Sequence, residues 1–380
     1  MGRRLIIFID ALPYFLLSKR KDCYLNKLAN VRPLTPGIGF SLNIYPVLFA
    51  GLRPDQLGVF NEWFPKRSPA KVGWLSQLVF NLLDLARVVP LLSRILHIIY
   101  SKIAKTKNLG NIPFKYLPYF EEKGSLDIFF KKEIKTIFNS YDLKLSLSPM
   151  CDRKNGRNDF LAYEKALQYV KEKHSIFVMF TGLDNIAHYH GLGSNEYENR
   201  FKELDKICEE LVQEFLKVNG AGAEVIILSD HGMADVKHYD YVNVEKALGM
   251  AGPGKYLYFL DSTFLRIWIV KEEIRSKAKK YLDQLACGAL LSDQDRARYG
   301  IKNRDYGDFV FMLDEGRIFF PDFMGGRHMK AMHGYSPEIE SQKGIFIHYG
   351  QPSQPGSIDA MEAYRQIAGS LDRSAVVLHK

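Results

Sequence analysis

Short apolar runs bounded by polar or turn residues punctuate the chain: Leu5-Ile-Ile-Phe-Ile9, Ser175-Ile-Phe-Val-Met-Phe-Thr181, Val225-Ile-Ile-Leu228 and Gly344-Ile-Phe-Ile-His348. They are apolar at consecutive positions rather than alternate ones, which predicts parallel strands buried on both faces. Helical spacing of apolar residues predicts helices over 41–52, 125–140, 158–173, 196–218 and 360–370. Ser41 stands at the start of the first of these, and Pro46 within its first turns. Gly51 and Arg53-Pro54 end it. The order strand 175–181, helix 196–218, strand 225–228 is a βαβ unit, for which a right-handed crossover is the default. The stretch 10–40 reads as a loop.

Between Lys71 and Lys105 the texture changes: Trp74, Leu75, Leu78, Val79, Leu82 and Leu83 recur at helical spacing, and the pattern resumes after Pro90 through Ile99, with Arg87, Arg94 and Lys102 interspersed. This predicts two amphipathic helices hinged at Pro90. One reading packs them on the body of the protein. The other makes residues 74–105 a basic amphipathic surface in peripheral contact with lipid. From Lys255 the pattern shifts to strands at 256–260, 264–270, 309–313 and 317–320 around a charged helix at 271–285. The expectation is an α/β fold with a mostly parallel sheet flanked by helices. Its core comprises residues 1–72, 159–250 and 325–380, with a mostly helical cap insertion at 73–158 and a small α+β subdomain at 251–324.

Composition narrows the class. At 380 residues with 47% hydrophobic and 25% charged positions, the chain is an ordinary folded protein and not a disordered one. A net charge of +9 favours anionic partners, and charge alone does not choose among phosphorylated substrates, acidic membrane surfaces and nucleic acid. The strand-end chemistry, not the charge, makes phosphorylated small molecules or lipid-linked phosphates the expected partners rather than nucleic acid. Cys23, Cys151, Cys208 and Cys287 share no framework spacing and read as reduced thiols. The apolar run at the N-terminus stops at Asp10, without a cleavage site, and no run of 18 apolar residues occurs. A cytoplasmic location follows as an expectation, with membrane association through residues 74–105 as its variant. Oligomeric state is not readable.

The candidate chemistry lies where the strands stop. Three apolar runs lead into aspartate: Asp10, Asp184 and Asp230. In an open parallel sheet the carboxyl ends of the strands share one rim, where ligands bind. Carboxylates gathered there repel one another unless cations neutralise them. His188 follows Asp184 by four residues, His231 adjoins Asp230, and His333 precedes a glycine in the returning loop. Carboxylate plus imidazole without thiolate suits zinc, and manganese or iron less selectively. Two such ions, about 3.5–4 Å apart, clamp the attacking and leaving oxygens of an in-line displacement at phosphorus. Ser41, at a helix N-terminus, is the fitting nucleophile.

Five motifs then appear in order: Phe8-Ile-Asp10; Gly39-Phe-Ser41 with Phe49-Ala-Gly-Leu-Arg-Pro54; Leu183-Asp-Asn-Ile-Ala-His188-Tyr-His-Gly191; Ser229-Asp-His-Gly-Met233; and Met332-His-Gly-Tyr335. Together they resemble the type I phosphodiesterase/nucleotide pyrophosphatase branch of the alkaline phosphatase superfamily. The resemblance implies an alkaline-phosphatase-like fold and two divalent metal ions. It implies Asp184, His188 and His333 on one ion, and Asp10, Ser41, Asp230 and His231 on the other, with a phospho-Ser41 intermediate. Asn43, Asn185 and Tyr335 are candidates for substrate contact. The chain departs from the family pattern in having Ser41 where threonine is common in nucleotide pyrophosphatases. It also has Ile44 where an asparagine usually contacts the phosphoryl group, and Leu57 in place of a histidine. None of these removes a metal ligand; they bear on nucleotide specificity. The expected activity is hydrolysis of a phosphodiester or pyrophosphate. The alternative is a phosphotransferase or phosphomonoesterase acting on a lipid-linked or sugar-linked phosphate.

Overall fold

The computed structural model describes residues 3–28, 30–58, 60–66, 74–85, 89–104, 106, 110–123, 135–140, 142–148, 157–325, 328–351 and 355–369. The chain divides into two compact units, one comprising Met1–Arg53, Leu126–Ala234 and Pro337–Lys380, the other Pro54–Ser125 and Asp235–Ser336.

The first unit is built on a seven-stranded sheet. Its strands are β1 (Arg4–Ile9), β2 (Arg32–Thr35), β3 (Leu143–Leu147), β4 (Ser175–Phe180), β5 (Glu224–Leu228), β6 (Gly344–His348) and β7 (Ile358–Asp359). Their spatial order is β7-β2-β6-β5-β1-β4-β3. β1 pairs in parallel with both β4 and β5, placing Ile7 beside Val178 on one side and Ile227 on the other. β6 alone runs against its neighbours β5 and β2. Leu5 through Ile9 are 0% exposed, which accounts for the absence of alternation in their sequence: a central strand covered on both faces has no solvent side to mark.

Helices α1 (Ser41–Ala50), α2 (Arg157–Lys171), α3 (Gly182–His190), α4 (Asn195–Asn219) and α5 (Ala360–Ala368) accompany this sheet. α1 lays Tyr45 and Phe49 against Phe8, with ring centroids 5.3 and 5.5 Å away. Pro46 falls at the sixth position of α1, in its second turn, and the helix continues through it to Ala50. Gly51 then ends the helix in the left-handed region at φ 65°, a conformation glycine adopts without strain. α4 begins at Ser194, whose hydroxyl accepts the Tyr197 N–H at 3.1 Å. It buries Tyr197, Phe201, Leu204, Cys208, Leu211 and Phe215 along one face.

The expected loop 10–40 is corrected in part, because Arg32–Thr35 is a strand despite Pro33. β2 lies near the edge of the sheet, where a missing N–H is tolerated, and β6 supplies its partner. β3 was unmarked in the sequence, since Lys144 and Ser146 break its apolar pattern; Ser146 is buried by donating to the Ala162 carbonyl at 2.6 Å. Of the expected helix 125–140, the described part is a single turn, Ile137–Ser140; residues 124–134 lie outside the described segments.

The second unit holds a four-stranded antiparallel sheet in the order Tyr256–Asp261, Phe264–Ile269, Phe309–Leu313, Gly288–Leu290. The helix Glu273–Asp283 belongs to the same unit and buries Ile274, Ala278 and Leu282. Within this core Arg266 and Asp261 form an ion pair of 2.7 Å, both essentially inaccessible. The guanidinium also donates to the Trp63 carbonyl at 2.9 Å and lies over the rings of Phe259 and Trp268. The two amphipathic helices span Trp74–Leu85 and Pro90–Ala104, and Phe80, Leu83, Leu96 and Tyr100 pack onto the same core.

Candidate metal centre

Parallel pairing brings the carboxyl ends of β1 and β5 side by side, and each delivers a buried carboxylate just beyond its last residue. Asp10 is 1% exposed and Asp230 0%. The Asp10 backbone N–H donates to the Phe180 carbonyl at 2.9 Å, tying the end of β1 to that of β4. Ser229 fixes the other turn: its hydroxyl accepts the Leu12 N–H and donates to the His231 carbonyl, both at 2.8 Å. Gly232 follows because nothing larger fits; a Cβ there would stand 2.0 Å from the Ser341 carbonyl oxygen.

One ligand atom each from Asp10, Asp230 and His231 lie within 4.8 Å of one another. His231 Nδ1 lies 2.8 Å from the Gly232 carbonyl, which can only accept, so Nδ1 carries a proton and Nε2 is the nitrogen turned to the carboxylates. Nε2 stands 3.1 Å from Asp230 Oδ2 and 3.6 Å from Asp10 Oδ1. Asp10 Oδ1 and Asp230 Oδ2 are buried and accept no hydrogen bond of good geometry among the described residues. The electrostatics follow. Burial first, and then repulsion from Asp230 and Asp184, push the Asp10 carboxyl well above the usual range, with the Tyr45 hydroxyl acting the other way. Burial works to lower His231, but Asp230 and Asp184 outweigh it and hold the imidazole above its ordinary value. Two buried carboxylates and an imidazole without a thiolate form a donor set that a zinc-like dication satisfies.

Ser41 is the first residue of α1, and its hydroxyl oxygen lies 3.3 Å from His231 Nε2. Tyr45, one turn later, donates to Asp10 Oδ2 at 3.4 Å. Asp184 and His188 stand one turn apart on α3, with Nε2 and Oδ1 separated by 3.2 Å. Asp184 therefore sits in the first turn of a helix rather than on the last residue of β4, and one of its oxygens lies within 4.8 Å of a His231 ring nitrogen. The first unit thus gathers Asp10, Ser41, Asp184, Asp230 and His231, with His188 beside Asp184.

His333 and Tyr335 belong to the second unit. His333 follows the strand Ala331–Met332 and is 6% exposed; the Tyr335 hydroxyl is engaged by the Arg317 carbonyl at 3.0 Å. Asn43 is buried in α1, and Asn185 donates back to the Thr181 carbonyl at 3.2 Å.

Two residues that sequence reasoning passed over belong to this site's framework. Tyr45 was detectable, being four residues after Ser41 on the predicted helix. Asp159 was not, because it reaches the site across 22 residues of chain: it is fully buried and accepts the Thr181 and Gly182 N–H groups at the start of α3, at 3.1 to 3.2 Å.

The family model of type I phosphodiesterase/nucleotide pyrophosphatase matches residues 45–336, about three-quarters of the chain. The chain belongs to this family. The human ectonucleotide pyrophosphatase/phosphodiesterase 5 structure superimposes with a TM-score of 0.65 at 14% identity, covering 96% of this chain and 94% of that one. The murine protein, solved as an inactive variant in complex with AMP, gives 0.65 at 12% identity, covering 97% and 94%. No curated protein sequence matches. These likenesses establish an alkaline-phosphatase-like fold with a central, mostly parallel sheet flanked by helices. Membership in the phosphodiesterase/nucleotide pyrophosphatase family indicates a hydrolase of phosphoric esters or anhydrides.

Proposed function

We propose that this family member is a two-metal phosphodiesterase/nucleotide pyrophosphatase that acts through a phospho-Ser41 intermediate on a phosphorylated, nucleotide-like small molecule. Asp10, Ser41, Asp230 and His231 would hold one ion, and Asp184, His188 and His333 the other, zinc fitting the donor set best. When bound, the ions would neutralise the carboxylates and the phosphoryl oxygens and favour ionisation of the Ser41 hydroxyl.

The observation that carries this reading is the position of Ser41, at the start of a ten-residue helix and 3.3 Å from His231 Nε2, beside two buried carboxylates. The exposed N–H groups and dipole of a helix start favour an anion there. Ser41 Oγ loses its proton and forms a bond to phosphorus in line with the departing ester or anhydride oxygen. That oxygen leaves with a proton. Water then attacks phospho-Ser41, releasing the phosphate monoester and restoring the hydroxyl. Tyr45 holds the Asp10 carboxylate in place from the same helix, and the Gly232 carbonyl fixes the His231 tautomer.

The test is Ser41→Ala, assayed with bis-p-nitrophenyl phosphate at measured metal content. Turnover should fall to background while Asp10, Asp230 and His231 still retain metal, and mass spectrometry of the quenched wild-type enzyme should find a p-nitrophenyl phosphoryl group on Ser41. Normal turnover by Ser41→Ala would remove the mechanism. Product analysis with an added alcohol separates hydrolysis from transfer, since a transferase would yield the alcohol's phosphoryl ester.

A further inference from the structure

Eleven of the eighteen large apolar side chains exposed among the described residues fall between Leu78 and Ile103, ten of them on the two helices of the second unit and Val89 just before the second. On the Pro90–Ala104 helix, Leu91, Ile95, Ile98 and Ile103 are 46 to 76% exposed. On the Trp74–Leu85 helix, Leu82 and Leu85 are 57% and 67% exposed. Leu91, Ile95 and Ile98, and likewise Leu82 and Leu85, are three or four residues apart and share one outward stripe per helix, with Ile103 beside it at the end of the second. The opposite stripes, with Phe80, Leu83, Leu96 and Tyr100, pack on the unit's core, and His97 is buried with Nε2 at 2.9 Å from the Ile112 carbonyl. Each helix is therefore apolar on both its inner and its outer side, which core packing alone does not require.

The charges around the stripe decide what it fits. Arg94 flanks it and Lys102 lies within it; both are exposed and form no ion pair among the described residues. Asp84, the sole acid between residues 78 and 103, is turned inward to accept the Phe114 N–H at 2.9 Å. We propose that this face docks on a bilayer surface bearing anionic headgroups, with the aliphatic side chains entering the headgroup–acyl boundary and Arg94 and Lys102 pairing with the headgroups. A second copy fits less well, because self-pairing would bring these cations toward their own kind. A protein partner fits less well because the stripe offers leucine, isoleucine and valine without the aromatic anchors that concentrate energy in protein interfaces. Among the described residues no helix is long and apolar enough to cross a membrane, and the proposed contact lies in the plane of the surface. The inference is independent of the metal centre.

Flotation of the full chain with phosphatidylcholine vesicles, with and without phosphatidylglycerol, tests it. The protein should float with the anionic vesicles, bind the neutral ones weakly, and lose anionic binding as salt rises. Arg94→Gln with Lys102→Gln should lower the partition coefficient about thirtyfold, near fivefold for each cation. Leu91→Asn with Ile95→Asn and Ile98→Asn should abolish flotation while hydrolysis of a soluble ester continues. Hydrogen exchange on the wild-type chain should show vesicle-dependent protection confined to residues 78–103, a readout that needs no variant to fold. Failure to float with anionic vesicles, protection elsewhere, or binding unchanged in both variants would overturn the proposal. So would a dimer, by light scattering, that the apolar variant dissolves without any vesicle binding.

Discussion

Replacing Asp10 with asparagine should make the metal-free protein more stable and the metal-loaded protein worse at holding its ion. The exchange keeps shape, and the Tyr45 hydroxyl can still donate to the amide oxygen, so what changes is one negative charge at a site 1% exposed. Asp10 and Asp230 place ligand oxygens within 4.8 Å of each other. At an effective dielectric constant of about 20, two unit charges at that separation repel by about 3 kcal/mol. The native carboxyl escapes part of this by keeping its proton, since burial and Asp230 raise its pKa above the unfolded value. That sets the pH dependence. Below about pH 4 the wild-type carboxyl is protonated in both folded and unfolded chains, and asparagine brings no advantage. As pH rises, the unfolded chain releases its proton first, the wild type loses relative stability, and the benefit of Asp10→Asn grows until the folded carboxyl also ionises. Denaturant unfolding after exhaustive chelation, repeated across this range, measures the effect; a gain of up to about 3 kcal/mol is expected at its upper end. Calorimetric titration with zinc should show an affinity loss larger than the roughly 10–100-fold that removal of an outer partner causes. A variant less stable than wild type without metal, or one with unchanged zinc affinity, would refute the argument that these carboxylates are assembled for a cation.

Two further predictions concern the framework. Asp159→Ala leaves the Thr181 and Gly182 N–H groups buried without their acceptor, so the protein should lose about 1–3 kcal/mol. Zinc affinity should fall with it, because α3 carries Asp184 and His188; unchanged affinity in a folded Asp159→Ala protein would show that the cap does not position them. Asp261→Asn strands the Arg266 guanidinium among the rings of Phe259 and Trp268. Denaturant unfolding should register a loss of about 3–5 kcal/mol, and a loss below about 1 kcal/mol would mean that the Trp63 carbonyl suffices as partner.

Much of this protein is written locally. β1, β4, β5 and β6 are legible because a central strand covered on both faces must be apolar throughout, and Asp10 and Asp230 stand out because each ends such a run. The Asp184–His188 pair is legible because four residues make one helical turn. What the sequence could not convey is which side chains reach across the chain. β2 and β3 are strands because β6 and β4 offer them backbone partners, against a proline in one and a lysine in the other. Asp159 is joined to α3 only by the packing of α2 beside β4, and the repulsion that raises Asp10 exists only once β5 lies next to β1. Likewise, periodicity marked residues 74–105 as amphipathic. That the helices bury one apolar side and leave another in solvent was decided by where Phe80, Leu83, Leu96 and Tyr100 found a core to enter. Local pattern encodes what a residue can bury; which neighbour it meets is a property of the assembled sheet and its helices.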